Sequence, residues 1–102
     1  MFKAMILLKR KDGSTREEFA SWWLKQHRPL AEQLPGVRRA IFNLATQDTA
    51  DTYDGISELW FDTEAGFEAA YASEVGLRVA EDSLNNVGDR LRLFVTEHVI
   101  KS

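Results

Sequence analysis

The sequence contains no cysteine, which excludes disulfides, thiolate-bound zinc, iron–sulfur clusters and a thiol nucleophile together. It has only two histidines, His27 and His98, so one chain cannot supply the three imidazoles of a common catalytic zinc site. Basic residues are in deficit: 13 Lys and Arg stand against 16 Asp and Glu, a formal charge of -3. That is the wrong sign for a phosphate-binding footprint, and nucleic acid is not an expected partner. The longest uninterrupted apolar run, Ala4–Leu8, is far short of the roughly 20 residues that span a bilayer, so no membrane partner is expected either. The run lies too near the start, without a charged segment or cleavage site, to act as a secretory leader, and a cytoplasmic location is the expectation. Gly-rich phosphate loops, a Gly-x-Ser-x-Gly elbow and metal-ligand spacings are missing, so no metal site is expected.

What is present suits one folded domain over residues 1–102, with 44% hydrophobic and 28% charged residues. Phe2–Lys9 is short and apolar and runs into the turn signal Asp12-Gly13, which predicts a first buried strand. Ser14 to Glu17 reads as a capping box at a helix start. Phe19, Trp22, Trp23, Gln26, His27, Leu30, Ala31 and Leu34 then recur at helical spacing until Pro35-Gly36 stops the pattern. Pro29 cannot donate to the Lys25 carbonyl, so a kink is expected near His27–Pro29. Val37–Ala45 predicts strand two, Thr46–Thr52 a loop, and Ile56–Phe61 strand three. Asp62 is the expected cap of a second helix carrying Phe67, Ala70 and Tyr71. Gly76 is expected to interrupt it before a segment with Leu77, Ala80, Leu84, Val87 and Leu91 on one face, and Leu91–Ile100 predicts the last strand.

The order βαββαβ is the ferredoxin-like arrangement, an α+β fold whose four-stranded antiparallel sheet carries its helices on one face. Both faces of strands two and three carry apolar residues: Phe42, Leu44, Leu59 and Phe61 on one parity, Val37, Ile41, Ile56 and Trp60 on the other. Two helices cover only one face, and an open apolar sheet face marks an interface. A homodimer in which two sheets close into a shared barrel is therefore expected.

His27 is the most informative polar residue, because it sits on the apolar stripe one turn after Trp23. It reads either as a core histidine satisfied by a hydrogen bond, or as an imidazole at the mouth of a cleft opened by the Pro29 kink, able to exchange a proton near neutral pH. His98 reads as structural or solvated. Trp22 and Trp23 read first as packing residues that can also wall a pocket. Arg38 and Arg39 read first as solvated or ion-paired, and Arg39 is the better candidate for binding. Asp82, Asn86 and Asp89 share helical spacing and read as a solvated face that could instead line a pocket. Tyr53 and Asp54 enter strand three and could bring a hydroxyl or a carboxylate.

The segment Trp23-Leu-Lys-Gln-His27-Arg-Pro29-Leu-Ala-Glu-Gln-Leu-Pro35-Gly36-Val37 resembles the helix-one signature of EthD-like proteins. Glu58-Leu-Trp-Phe61 resembles their third strand, and Phe94-Val-Thr-Glu97-His98-Val-Ile100 their terminal strand, preceded by Asp82 and Asn86. The resemblance implies a dimeric α+β barrel with a pocket between sheet and helices in each subunit. By position, His27 matches the histidine that lactone-isomerising relatives use for proton transfer. Ala40 stands where those relatives carry a tyrosine. The leading expectation is a cofactor-independent enzyme for a small apolar carbonyl, lactone or phenolic compound, moving protons through His27. Trp23 and Trp60 would wall its pocket, and Arg39, Tyr53, Asp82 or Asn86 would orient oxygen atoms. Three alternatives stand beside it: a cofactor-free monooxygenase, a haem protein with His27 as axial ligand, and a non-enzymatic small-ligand-binding dimer. A His27 ring sealed without a connected cavity would favour the last.

Overall fold

In the computed structural model, residues 1–48 and 51–102 are described. Thr49 and Ala50 of the expected Thr46–Thr52 loop lie outside the described residues. The chain runs β1 (Phe2–Arg10), α1 (Arg16–Ser21), a π-helical segment (Trp22–His27), α2 (Arg28–Glu32), β2 (Arg39–Leu44), β3 (Gly55–Phe61), α3 (Glu64–Ala72), α4 (Glu74–Asn86) and β4 (Val87–Val95). The strands form one antiparallel sheet in the order β2-β3-β1-β4, so the fold is the ferredoxin-like βαββαβ arrangement.

Strand parity decides which residues meet the helices. Ala4, Ile6 and Leu8 of β1 share a face with Ser57, Leu59 and Phe61 of β3, and all six are buried under the helices. Trp23, Phe61, Phe67, Leu8 and Leu59 are the largest fully buried side chains, each contributing about 1.5–3 kcal/mol through burial. The outer face carries Met5, Leu7, Ile41, Ile56, Leu91 and Leu93, and both leucines of β4 are exposed. Beside this apolar stripe Trp60 lies between two cations, Lys3 at 4.4 Å and Arg39 at 5.0 Å. The Lys3 ammonium is held by Glu58 at 2.8 Å and Glu97 at 3.1 Å.

Several expected boundaries shift, each for a local reason. The capping box forms one residue later: Thr15 Oγ1 accepts from the Glu18 amide at 3.0 Å, and the Thr15 amide donates to Glu18 at 2.8 Å. Ser14 is already committed to the preceding turn through the Lys11 carbonyl. Thr63, not Asp62, caps α3, because Asp62 is drawn into a bidentate pair with Arg38. The helical break falls at Ser73, whose extended backbone and hydroxyl cap α4. Gly76 is instead a contact glycine: a Cβ there would lie 2.1 Å from the Ala70 carbonyl oxygen. The buried residues of α4 are Gly76, Val79 and Ser83, while Leu77 and Leu84 face outward.

The last strand begins at Val87 and ends at Val95, rather than spanning Leu91–Ile100. The pairing with β1 sets these ends, because the register runs from Arg10 opposite Val87 to Lys3 opposite Val95. Val99 and Ile100 accordingly stand exposed. Among the described residues, no helix is long and apolar enough to cross a membrane.

The contact at Gly76 gives a direct test. Gly76→Ala forces the first turn of α4 away from α3 and is expected to destabilise the fold by about 1–3 kcal/mol, read as a lower denaturant midpoint at unchanged slope. A midpoint equal to that of the parent would show that the two helices have slack there.

Candidate active site

The site is built around the first helical run. A proline at position 29 removes an amide donor and would press its ring against the Lys25 carbonyl of a regular α-helix. The chain widens instead: Trp22–His27 is π-helical, and the Arg28 amide donates to the Trp23 carbonyl five residues back. The expected kink is therefore a wide turn. Its consequence is that Trp22 and His27, five residues apart, lie side by side with ring centroids 4.9 Å apart.

Both rings meet one carboxylate from α4. Trp22 Nε1 donates to Asp82 Oδ2 at 3.1 Å, and His27 Nδ1 lies 2.8 Å from the same oxygen. Asn86 Nδ2 donates to the Asp82 backbone carbonyl at 2.8 Å and to Oδ1 at 3.3 Å. Trp22 and Asn86 both donate to the Asp82 side chain, which is thus the acceptor here, so Nδ1 carries the imidazole proton and Nε2 keeps its lone pair. Ser83 Oγ lies 3.4 Å from Nε2, a long contact. His27 is buried, and burial holds its pKa below the ordinary 6.5. Asp82 opposes that shift by favouring the charged form, and Arg90 adds to it by repulsion.

Beside His27 is a cavity of about 10 Å³, enough for one water molecule. Ser57, Tyr71, Ser83 and Arg90 supply its polar lining. Burial pushes the Tyr71 phenol up to about 12, so it is a neutral hydroxyl at any physiological pH. A porphyrin does not fit a space of this size.

Of the residues singled out from sequence, the structure brings His27, Asp82 and Asn86 together. Trp23 is adjacent, stacked on Phe42 with centroids 4.5 Å apart and planes 6° from parallel. Arg39 and Trp60 lie on the opposite face of the sheet from His27. Tyr53 precedes β3 and is not part of the cavity lining. Its neighbour Asp54 is structural: the carboxylate accepts from the Arg10 amide at 2.9 Å and the Arg10 guanidinium at 2.6 Å. Asp89 falls on β4, off the helix that carries Asp82.

Five participants escaped sequence reasoning: Trp22 as a hydrogen-bond donor, and Ser57, Tyr71, Ser83 and Arg90 as cavity lining. Ser83 follows Val79 by four residues and so shares its buried helical face, which is a readable signal. Arg90 shares the inward parity of Arg92 and Phe94, an unusual placement for charge.

Comparison with known proteins supports the same architecture. Residues 11–89 match the sequence family described as the EthD domain. An ethyl tert-butyl ether D (EthD) family protein from Bacillus halodurans superposes with a TM-score of 0.81 at 17% identity, over 96% of this chain and 100% of that one. A dimeric ferredoxin-like protein of unknown function from Thermobifida fusca gives 0.76 at 17% identity, over 94% and 90%. A hydroxynitrile lyase from Passiflora edulis gives 0.72 at 14% identity, over 95% and 94%. No curated protein matches the sequence.

The carboxylate contact predicts the titration of His27. By NMR, its imidazole should titrate below 6.5 in the parent and lower still in Asp82→Asn, which removes the one partner that favours the charged form. Because the unfolded histidine takes up its proton first, stability should fall as pH drops from 6.5 to the lowered folded value. His27→Gln should flatten that stretch of the stability curve. A His27 pKa at or above 6.5 would refute this account of its surroundings.

Proposed function

The chain belongs to the EthD family, and on that premise we propose that it is a proton-transfer enzyme acting on a small apolar carbonyl, lactone or phenolic compound. The single observation that carries this reading is the buried His27–Asp82 pair, with Nδ1 held at 2.8 Å, Nε2 in only a long 3.4 Å contact with Ser83, and His27 lining the cavity. In the proposed reaction, Nε2 takes a proton from the carbon beside the carbonyl, and the C–H electron pair moves into the enolate. The imidazolium so formed is stabilised by Asp82 and returns the proton to another atom of the same molecule, leaving His27 neutral. Arg90 lies on the same cavity and favours negative charge on the substrate oxygen. Asp82 and Asn86 are positioning residues, acting through the imidazole. Trp23 supports the apolar wall. Arg39, Trp60 and Tyr53 take no part in this site.

The water-sized cavity favours a second reading, in which His27 is a satisfied core histidine and the protein binds ligands without turning them over. Exchange in D₂O separates the two. A panel of small cyclic ketones, unsaturated lactones and phenols is incubated with the protein, and loss of C–H signal is followed by NMR. The parent should accelerate exchange for at least one member, and His27→Ala, with unchanged circular dichroism, should lower that rate by about 100- to 10,000-fold. Equal exchange by parent and variant would reject the base.

We also propose a homodimer closed over the outer sheet face, which carries the exposed Leu91 and Leu93 in a stripe with Met5, Leu7, Ile41 and Ile56. The description of the Thermobifida fusca relative as dimeric supports it. Sedimentation should give a dimer for the parent and a monomer for Leu93→Glu, since a charge in a buried, self-complementary patch is placed twice without partners. A monomeric parent at micromolar concentration would overturn it.

A further inference from the structure

The His27 cavity is too small for any carbon compound, yet a second space adjoins it. A cleft of about 310 Å³ lies between α2 and β2, lined by Leu24, Arg28, Ala31, Glu32, Ala40 and Phe42. Ala31 and Phe42 line both spaces and so form the wall between them. Ala31 is buried on α2 and has no rotatable side chain. Phe42 is half-buried, and its strand is a sheet edge bonded only to β3. It is the one side chain in the wall that can change rotamer.

The surroundings of Phe42 fix the direction of such a change. Its ring stacks on Trp23 on one side and approaches His27, with centroids 6.1 Å apart. Trp23 cannot retreat, because its six-membered ring lies against Gly55 so closely that a Cβ there would come within 2.5 Å. The Phe42 ring therefore leaves by sliding off a fixed indole plate. The space it vacates is flat, apolar on the indole side and open toward His27.

We propose that the α2–β2 cleft is the outer half of the substrate site, and that the Phe42 ring is a partition whose displacement joins the cleft to the His27 cavity. The ligand class follows from the shape: a planar, largely apolar ring bearing a carbonyl or phenolic oxygen, which takes the place of the Phe42 ring on Trp23. Its oxygen end reaches the imidazole, and its distal end rests near the exposed Arg28–Glu32 pair at the cleft. This deepens the proton-transfer reading and rests on it for the identity of the ligand, but the partition itself can be tested without any substrate.

Diethyl pyrocarbonate is the probe, since it acylates a neutral imidazole nitrogen it can reach. Exposed His98 serves as the internal standard, and each site is quantified by peptide mass spectrometry. In the parent, His27 should react far more slowly than His98. Phe42→Ala should raise the His27 rate by about tenfold or more, as expected when a local opening no longer precedes reaction, with His98 unchanged. Adding Ala40→Phe, which refills the cleft from β2, should reverse that gain. Where Phe42→Ala does not fold, Phe42→Leu should give a smaller gain, equally reversed by Ala40→Phe.

An unchanged His27 rate in the folded variant overturns the partition, as does a gain that Ala40→Phe leaves intact. A gain that is reversed, in a protein whose parent exchanges no panel compound, upholds the partition and rejects the base instead. The two failures are thus distinguishable.

Discussion

One carboxylate oxygen, Asp82 Oδ2, ties the first helical run to α4 and fixes the orientation of the two rings between them. It holds two rings from one chain segment, Trp22 and His27, and can do so only because the turn between them is π-helical. In an α-helix, residues five apart point in clearly different directions, so the two donors would not converge. Pro29 is the source of the widening. The same proline that costs a backbone hydrogen bond thus sets the tautomer of a histidine, because an occupied Nδ1 leaves Nε2 as the only basic nitrogen.

That arrangement is closed, and closure has opposing effects. Burial lowers the basicity of His27, while Asp82 restores part of it and stabilises the charged ring once formed. A buried, partly compensated imidazole is neutral at physiological pH and so ready to accept a proton. It is also unreachable until something moves. Rigid support comes from Trp23 on Gly55, and the half-buried edge strand carrying Phe42 supplies the part with least holding it.

The period-two and helical patterns made the four strands, the βαββαβ succession and the buried stripe of the first helix legible. His27 stood out because a polar residue on that stripe needs a partner. What was not legible was the partner: Asp82 shows up in the spacing as one of three acidic or amide positions, and only the crossing of α4 over the π-helical turn singles it out. Strand parity could have separated Trp60 and Arg39 from His27, since Trp60 alternates with Leu59 and Phe61, which face the helices. The end of β4 depends on where β1 begins, a pairing between distant segments that local propensity does not contain. Overlapping Ser-x-x-Glu and Thr-x-x-Glu patterns at residues 14–18 are likewise resolved only by the turn at Lys11.

The inner face of β4 carries two kinds of surroundings along one strand. Arg90, Arg92 and Phe94 point to the helices in turn. The Arg92 guanidinium lies 5.4 Å from the Phe67 ring and 5.1 Å from the Phe94 ring, where aromatic faces accept its charge. Two residues away, Arg90 meets His27 and Tyr71 across the cavity instead, and its charge lowers the pKa of both. It therefore disfavours the imidazolium while favouring a phenolate or an enolate, which is the bias a base needs before it acts and an oxyanion needs once formed. The interface between sheet and helices is thus graded along one strand, from an aromatic cluster at the exposed Phe94 to a polar hollow at Arg90.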